Sequence, residues 1–258
     1  MSQPNLVSIV LPVFNASSSL ADCLESLLNQ SYKDIEVIAI DDHSRDGSHK
    51  ILNAYKKKDR RLKVYRNKKR YGLSVCFNRA VKKAKGGYIT FMDPHDKSKL
   101  YKIKRQLSFL LQNNKVAAVG TQCSFIDEKG NKLATSEYPL DTESIKQGLV
   151  RGMNVRFETL LINRSRIPKD LLRFTTNAYP FIYTDILLKL LQYGKISNLN
   201  QCLHYHRQAA KRSYVQLDTL EKWATTAKIW AKTLSSEETR PTLREILPSL
   251  PLPLKLSK

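Results

Sequence analysis

Three clusters of acidic side chains stand at the edges of apolar runs, where a strand end or a helix start would hold them. Asp41-Asp42 ends the run Ile35 to Ile40, Asp93-Pro94-His95-Asp96 ends the run Tyr88 to Met92, and Asp185 precedes Ile186, Leu187, Leu190 and Leu191. A carboxylate at a strand end can accept from ribose hydroxyls or a base N–H, as the acidic residue does in dinucleotide folds. The same residues also suit turns: Asp41, Asp46 and Gly47 can cap a following helix, and Asp93 to Asp96 can form a helix-capping turn without any metal. Asp185 at a helix start is favoured in its ionised form by the positive end of the helix, which serves a cap and a proton acceptor equally.

The elements that must position these groups follow from periodicity. Val7 to Val13, rich in β-branched residues and bounded by Pro12 and Asn15, reads as a buried strand. Ser19 can cap a helix with Leu20, Leu24, Leu27 and Leu28 on one face and Asp22 at the capping-box position. With Ile35 to Ile40 as the next strand, about 35 residues form a βαβ unit with parallel strands. Ligands in such sheets sit beyond the carboxyl ends of the strands, so Pro12 to Asn15 and Asp41 to Ser48 share one rim. A helix follows from Ser48 to Tyr55, then a short strand from Leu62 to Tyr65. Another helix opens at Tyr71-Gly72-Leu73 and ends near Gly86-Gly87; its free N–H groups beside Arg70 make an anion site, unless Arg70 is one more surface cation. Tyr88 to Met92 and Val116 to Gly120 read as strands, Leu100 to Leu111 as an amphipathic helix, and Asp127 to Asn131 as a hairpin turn in which Gly130 suits positive φ.

The words IVLPVFN, LESLLNQSYKDIE and VIAIDDHSRDGS, in this order, closely resemble the opening of inverting family 2 glycosyltransferases with the GT-A fold. RYGLSVCFNRAVKKAKGGYITFMD resembles that family's second block, and the resemblance extends over roughly residues 7 to 207. It implies an α/β fold with a mostly parallel, Rossmann-like sheet, a nucleotide-sugar half at 7–120 and an acceptor-side half at 121–208. It implies further that Pro12, Val13 and Asn15 flank the base, that Asp41 and Asp42 meet base or ribose, and that Arg70 and Asp93 lie at the diphosphate. In the family the strand end carries Asp-x-Asp, whose carboxylates hold a divalent cation between the donor phosphates. Here Asp93 and the trailing Asp96 are present, but His95 takes the place of the usual direct ligand. Imidazole binds Mn²⁺, whereas Mg²⁺ prefers oxygen, so the resemblance implies a metal at Asp93, His95 and Asp96 with Mn²⁺ favoured over Mg²⁺. VRFETLLINRSRI resembles the acceptor-side strand, around Phe157 to Ile162. Thr184-Asp185 stands for the family's Glu-Asp, which makes Asp185 the base for the acceptor hydroxyl. His204 and His206 alternate with Leu203 and Tyr205, so both imidazoles face one side of a strand, either solvated or toward metal or diphosphate, with Arg207 on the other.

The chain has 258 residues and 41% hydrophobic content, enough for one α/β domain and a small appendage. Residues 209–258 are expected to form a helix from Leu217 to Leu234, with a face for packing or a homodimer, and then a Leu- and Pro-containing basic tail. No run qualifies as a membrane span, and the absence of Lys or Arg before Lys33 argues against a signal peptide. Cys23, Cys76, Cys123 and Cys202 are widely spaced, which suggests a reducing, cytoplasmic setting. The net charge of +21 predicts an anionic partner. Ten of the fifteen residues from Lys56 to Arg70 are Lys or Arg. Stacking aromatics do not interleave that run, so nucleic acid is not expected. The predicted partners are a nucleotide-sugar donor, with UDP as the expected nucleotide, a glycan or glycolipid acceptor, and an anionic surface at the inner face of the membrane. Two other readings compete: a non-catalytic relative that binds a nucleotide or partner, and a basic nucleic-acid-binding protein.

Overall fold

The computed structural model describes residues 3–149, 155–175 and 182–208. In chain order the elements are β1 (Gln3–Val13), α1 (Leu20–Leu28), β2 (Ile35–Asp41), α2 (Ser48–Lys58), β3 (Leu62–Arg66), α3 (Leu73–Lys83), β4 (Gly86–Phe91) and β5 (Lys97–Ser98). They continue with α4 (Lys102–Gln112), β6 (Val116–Ile126), β7 (Lys132–Thr135), α5 (Thr142–Leu149), β8 (Leu161–Asn163), α6 (Ile182–Leu191) and β9 (Lys195–Arg207). The strands form one sheet in the order β3-β2-β1-β4-β8-β6-β9-β5, with β7 added to β6.

β3, β2, β1 and β4 are mutually parallel, as the βαβ reading requires. β8 runs antiparallel between β4 and β6, and β9 runs parallel to β6. The continuous apolar runs have a simple cause: each strand is covered on both faces, so alternate residues enter different cores. Val7, Ile9 and Leu11 of β1 pack with Val37 and with Leu24 of α1, while Val10 packs with Ile38, Ile89 and Phe77 of α3. Ile103 and Leu107 of α4 join the first core; Ile186, Leu187 and Leu190 of α6 join the second. Each such Leu or Ile contributes on the order of 1.5–3 kcal/mol by leaving water.

Three local expectations are revised. Ser19 precedes α1 but makes no side-chain cap; its hydroxyl donates to the Pro94 carbonyl at 3.2 Å and pairs with His95 Nδ1 at 2.8 Å. It therefore joins the start of α1 to the loop after β4. Phe157–Thr159 is a 3-10 turn rather than strand, closed on the Arg156 carbonyl by the Thr159 N–H at 2.9 Å and hydroxyl at 2.7 Å. The strand expected from Val116 to Gly120 runs on to Ile126, where it pairs with both β7 and β9. The helix and tail expected over 209–258 lie outside the described residues.

Candidate active site

The carboxyl ends of β1, β2 and β4 open onto one cleft. Pro12, Val13 and Phe14 line it from β1, Asp42 from β2, and Asp93 and His95 from the loop after β4. Arg70, Gly72 and Leu73 add the start of α3, and Glu158 and Tyr183 close it from the second half of the chain.

Asp41 and Asp42 divide their labour because neighbours on a strand face opposite ways. Asp41 is fully buried and does not line the cleft; its carboxylate lies 3.1 Å from both Arg66 Nε and His49 Nδ1 and accepts from the Ser44 N–H at 2.8 Å. The expected nucleotide contact at Asp41 is thus replaced by an internal ion pair. Asp42 does line the cleft, and it accepts from Asn67 Nδ2 at 2.7 Å and from the Tyr71 and Gly72 N–H groups at 2.8 Å each. Burial raises its pKa, but the hydrogen bonds outweigh this and hold the carboxyl below the ordinary range. Gly72 has φ +88, the left-handed conformation that lets its N–H turn back to Asp42.

Asn15 is exposed at φ 47 and is not among the lining residues; its Oδ1 accepts from the Arg45 N–H at 2.9 Å, which ties the two rim loops together. The Arg70 guanidinium stacks on Phe14 with 4.0 Å to the ring centroid, an arrangement that stands a cation at the cleft mouth.

Asp93 and His95 both face the cleft, and the Asp93 carboxylate accepts from the His95 N–H at 2.8 Å. With His95 Nδ1 engaged by Ser19, Nε2 is the nitrogen that a ligand would meet. Asp96, expected as a third metal ligand, is fully buried and turned away. It accepts from His204 Nε2 at 2.9 Å, His206 Nδ1 at 3.0 Å and the Arg207 N–H at 3.0 Å. The two imidazoles are therefore buried on a carboxylate rather than solvated. Arg207, expected on the opposite side, donates to the His95 carbonyl at 3.1 Å.

Burial, joined by the nearby Lys102 charge, pushes the His204 pKa down to about 4, so this ring is neutral. Burial pushes the Lys102 amine down to about 8, and its Nζ lies 3.5 Å from His204 Nδ1. Burial acts to raise the Asp96 pKa, but its two histidine partners hold it well below the ordinary carboxylate value. Arg156 donates to His206 Nε2 at 2.8 Å, which leaves Nδ1 to donate to Asp96. The ligand atoms of Asp96, His204 and His206 lie within 4.8 Å of one another, close enough to share an ion. The flanking cations Lys102 and Arg156 oppose a divalent charge there, and a hydrogen-bonded chain accounts for the geometry. Asp93 and His95 are the pair from this loop that faces the cleft.

Asp185 lies in the first turn of α6, paired with Lys189 Nζ at 2.6 Å, and is not among the lining residues. Tyr183, two residues earlier, does line the cleft. Among the described residues of this half, the acid that lines the cleft is Glu158, buried to 7% exposure and raised in pKa by that burial. Its Oε2 lies 3.5 Å from Arg156 Nε. Sequence reasoning passed over Glu158, although opposite charges at 156 and 158 inside the apolar run Val155 to Ile162 were a visible signal. Lys102 gave none, being one cation among several on an amphipathic helix.

Residues 8–174 match Glycosyl transferase family 2. An uncharacterized glycosyltransferase of Haemophilus influenzae is 39% identical over 176 residues, 67% of each chain. TuaG of Bacillus subtilis, named for teichuronic acid biosynthesis, is 35% identical over 136 residues, covering 53% of this chain and 51% of its own. The chain thus spans two-thirds of the first relative's length and about half of the second's. Among solved structures, S. aureus TarS 1–349 in complex with UDP-GlcNAc superposes with a TM-score of 0.72 at 18% identity, covering 91% of this chain and 68% of that one. The mannosyltransferase PcManGT from Pyrobaculum calidifontis, in complex with GDP-Man and Mn²⁺, gives 0.63 at 14% identity, with 96% and 71% covered. These two likenesses bear on the fold, which is that of GT-A enzymes; the sequence match bears on the family, and the chain belongs to glycosyl transferase family 2.

Proposed function

We propose that this protein transfers a sugar from a nucleoside diphosphate donor, a UDP-sugar, to a hydroxyl of a glycan or glycolipid, with inversion at the anomeric carbon. The observation that carries the reading is the single cleft at the carboxyl ends of β1, β2 and β4, where Pro12, Asp42, Arg70 and Asp93 meet. The likeness to TarS bound to UDP-GlcNAc supports uridine as the base, and the likeness to TuaG supports a cell-envelope polysaccharide as the product.

Within this reading Pro12 and Val13 form a wall against the base, and Asp42 shapes the loop that meets the ribose. Arg70 and the N-terminus of α3 offer positive charge to the diphosphate. Asp93 and His95 would hold a divalent ion, which supplies further positive charge to the leaving group; the imidazole favours Mn²⁺ over Mg²⁺. The free cysteines suit a reducing compartment, and the basic surface suits an acceptor presented at the inner membrane face. No helix among the described residues is long and apolar enough to cross a membrane.

A thermal-shift screen with UDP, GDP and dTDP and their sugars, each in Mn²⁺, Mg²⁺ and chelator, tests the donor. UDP-sugars should raise Tm, since a ligand that binds only the folded state stabilises it by mass action. If no nucleotide raises Tm and none is released from any donor, the protein is not a working transferase, and the non-catalytic reading replaces this one.

A further inference from the structure

We infer that Ser19 is a positioning residue for His95: it fixes which ring nitrogen carries the proton, so that Nε2 offers a lone pair to the cleft. This rests on, and deepens, the reading in which Asp93 and His95 hold a divalent ion at the diphosphate. Ser19 is 5% exposed and makes no side-chain cap for α1. A serine hydroxyl has one proton to give and two lone pairs to receive with. Two carbonyls stand within its reach, Pro94 at 3.2 Å and Ala16 at 3.5 Å, and a carbonyl can only accept. The hydroxyl proton goes to them, which leaves His95 Nδ1, at 2.8 Å, to donate to the hydroxyl oxygen. A neutral imidazole with its proton on Nδ1 has a bare Nε2, the form of that nitrogen that binds a cation.

The rest of α1 grips the same loop. Asp22, Cys23 and Ser26 follow Ser19 at helical spacing and so share its face. Asp22 pairs with Lys97 Nζ at 2.6 Å, the Cys23 thiol donates to the Asp93 carbonyl at 3.6 Å, and the Ser26 hydroxyl accepts from the Ser98 N–H at 3.0 Å. From the other side Arg207 donates to the His95 carbonyl at 3.1 Å and lies 3.5 Å from Asp22. The His95 N–H donates to the Asp93 carboxylate at 2.8 Å. The backbone from Asp93 to Ser98 is thus held without the Ser19 hydroxyl, which adds the orientation and protonation of one ring. An aspartate at position 95 would present lone pairs whichever way it turned. A histidine there does so only when its other nitrogen is held by a hydrogen-bond partner, and Ser19 is that partner.

The test uses the full chain as wild type, S19A, S19T and H95N. In the metal-free protein, nitrogen-15 NMR separates ring nitrogens that carry a proton from those that do not, and H95N assigns the His95 pair by their loss. Wild type and S19T should show Nδ1 protonated and Nε2 bare, while S19A should move both signals toward a common averaged value. Mn²⁺ affinity is titrated in parallel by electron paramagnetic resonance with UDP present, and UDP affinity is measured in chelator. S19A should weaken Mn²⁺ binding by about 10- to 100-fold, with S19T, UDP affinity in chelator and Tm near wild type. A purely structural role would instead lower Tm and UDP affinity together and leave the tautomer alone. Wild-type His95 found with its proton on Nε2 overturns the assignment, whether or not S19A folds. A tautomer or an Mn²⁺ affinity unaltered by S19A overturns it as well, in each case leaving glycosyl transfer intact. Failure of Mn²⁺ to bind the wild type beside UDP instead overturns the ion reading, and this assignment with it.

Discussion

Asp41 and Asp42 carry the same side chain, and only the pleat separates an internal ion pair from a cleft-lining acceptor. Asp42→Ala leaves the Tyr71 and Gly72 N–H groups without their acceptor, at a cost of about 1–3 kcal/mol of stability. UDP affinity should fall with it, because the loop carrying Arg70 loses its brace. Denaturant unfolding and UDP titration measure the two effects, and unchanged affinity for UDP and other nucleoside diphosphates would show that the rim lies elsewhere. His95 allows a cleaner substitution. Its ring faces the cleft beside Asp93 where an oxygen ligand would ordinarily sit, so activity should be higher in Mn²⁺ than in Mg²⁺. His95→Asp returns an oxygen and a charge and should restore activity in Mg²⁺. Full wild-type activity in chelator would rule the ion out and leave Arg70 and the α3 N-terminus to neutralise the diphosphate.

Asp96, His204 and His206 show what a local reading of elements can and cannot reach. The βαβ unit, helices α1 to α4 and the hairpin were legible because period and apolar runs depend on neighbours in sequence. The alternation at 203–206 correctly put both imidazoles on one face, but what covers that face is set by residues about 110 positions away, which no local pattern encodes. The same limit hid Lys102, whose helix face is closed over by β9 and the turn at 157–159. At Asp185 the helix start was legible, and the structure places the residue in the first turn of α6, paired with Lys189. The buried trio has a consequence for pH. The His204 pKa falls from 6.5 unfolded to about 4 folded, so the unfolded chain binds the extra proton between those values. Stability from this group is fully present above about pH 6.5 and is lost as pH falls toward 4, by on the order of 3 kcal/mol. Asp96, depressed below its ordinary value, adds a loss at lower pH with the same sign. Wild-type Tm should therefore drop between pH 7 and 4, and His204→Gln should flatten the upper part of that drop. A wild-type Tm that is flat or rising over this range would mean that the imidazole is charged in the native state.

The charge of the whole molecule has a definite location once the fold is known. Lys56, Lys57 and Lys58 end α2, Lys63 lies on β3, and Lys68 to Arg70 lead into α3, all exposed. β3 is the edge strand of the sheet, so these cations collect on one side of the molecule, and Arg70 carries the patch to the cleft mouth. Lysines on an edge strand also discourage pairing with another chain, which explains part of the pattern without any partner. That protective role needs one or two charges, not a run of ten. An anionic membrane carrying the acceptor would use the rest, since each cation near such a surface adds about 1 kcal/mol, and would deliver a lipid-linked hydroxyl to the cleft. Flotation with phosphatidylglycerol-containing and purely neutral vesicles measures this directly. The protein should float with the anionic vesicles at low salt and be released as salt shortens the screening length. Reversing Lys57, Lys58, Lys63 and Lys68 to Glu should abolish flotation while leaving UDP affinity within a few fold, because none of the four lines the cleft. Equal flotation with neutral and anionic vesicles at low salt would mean that this basic edge does not recognise an anionic bilayer, and its charge would then have to be explained by solubility and edge protection alone.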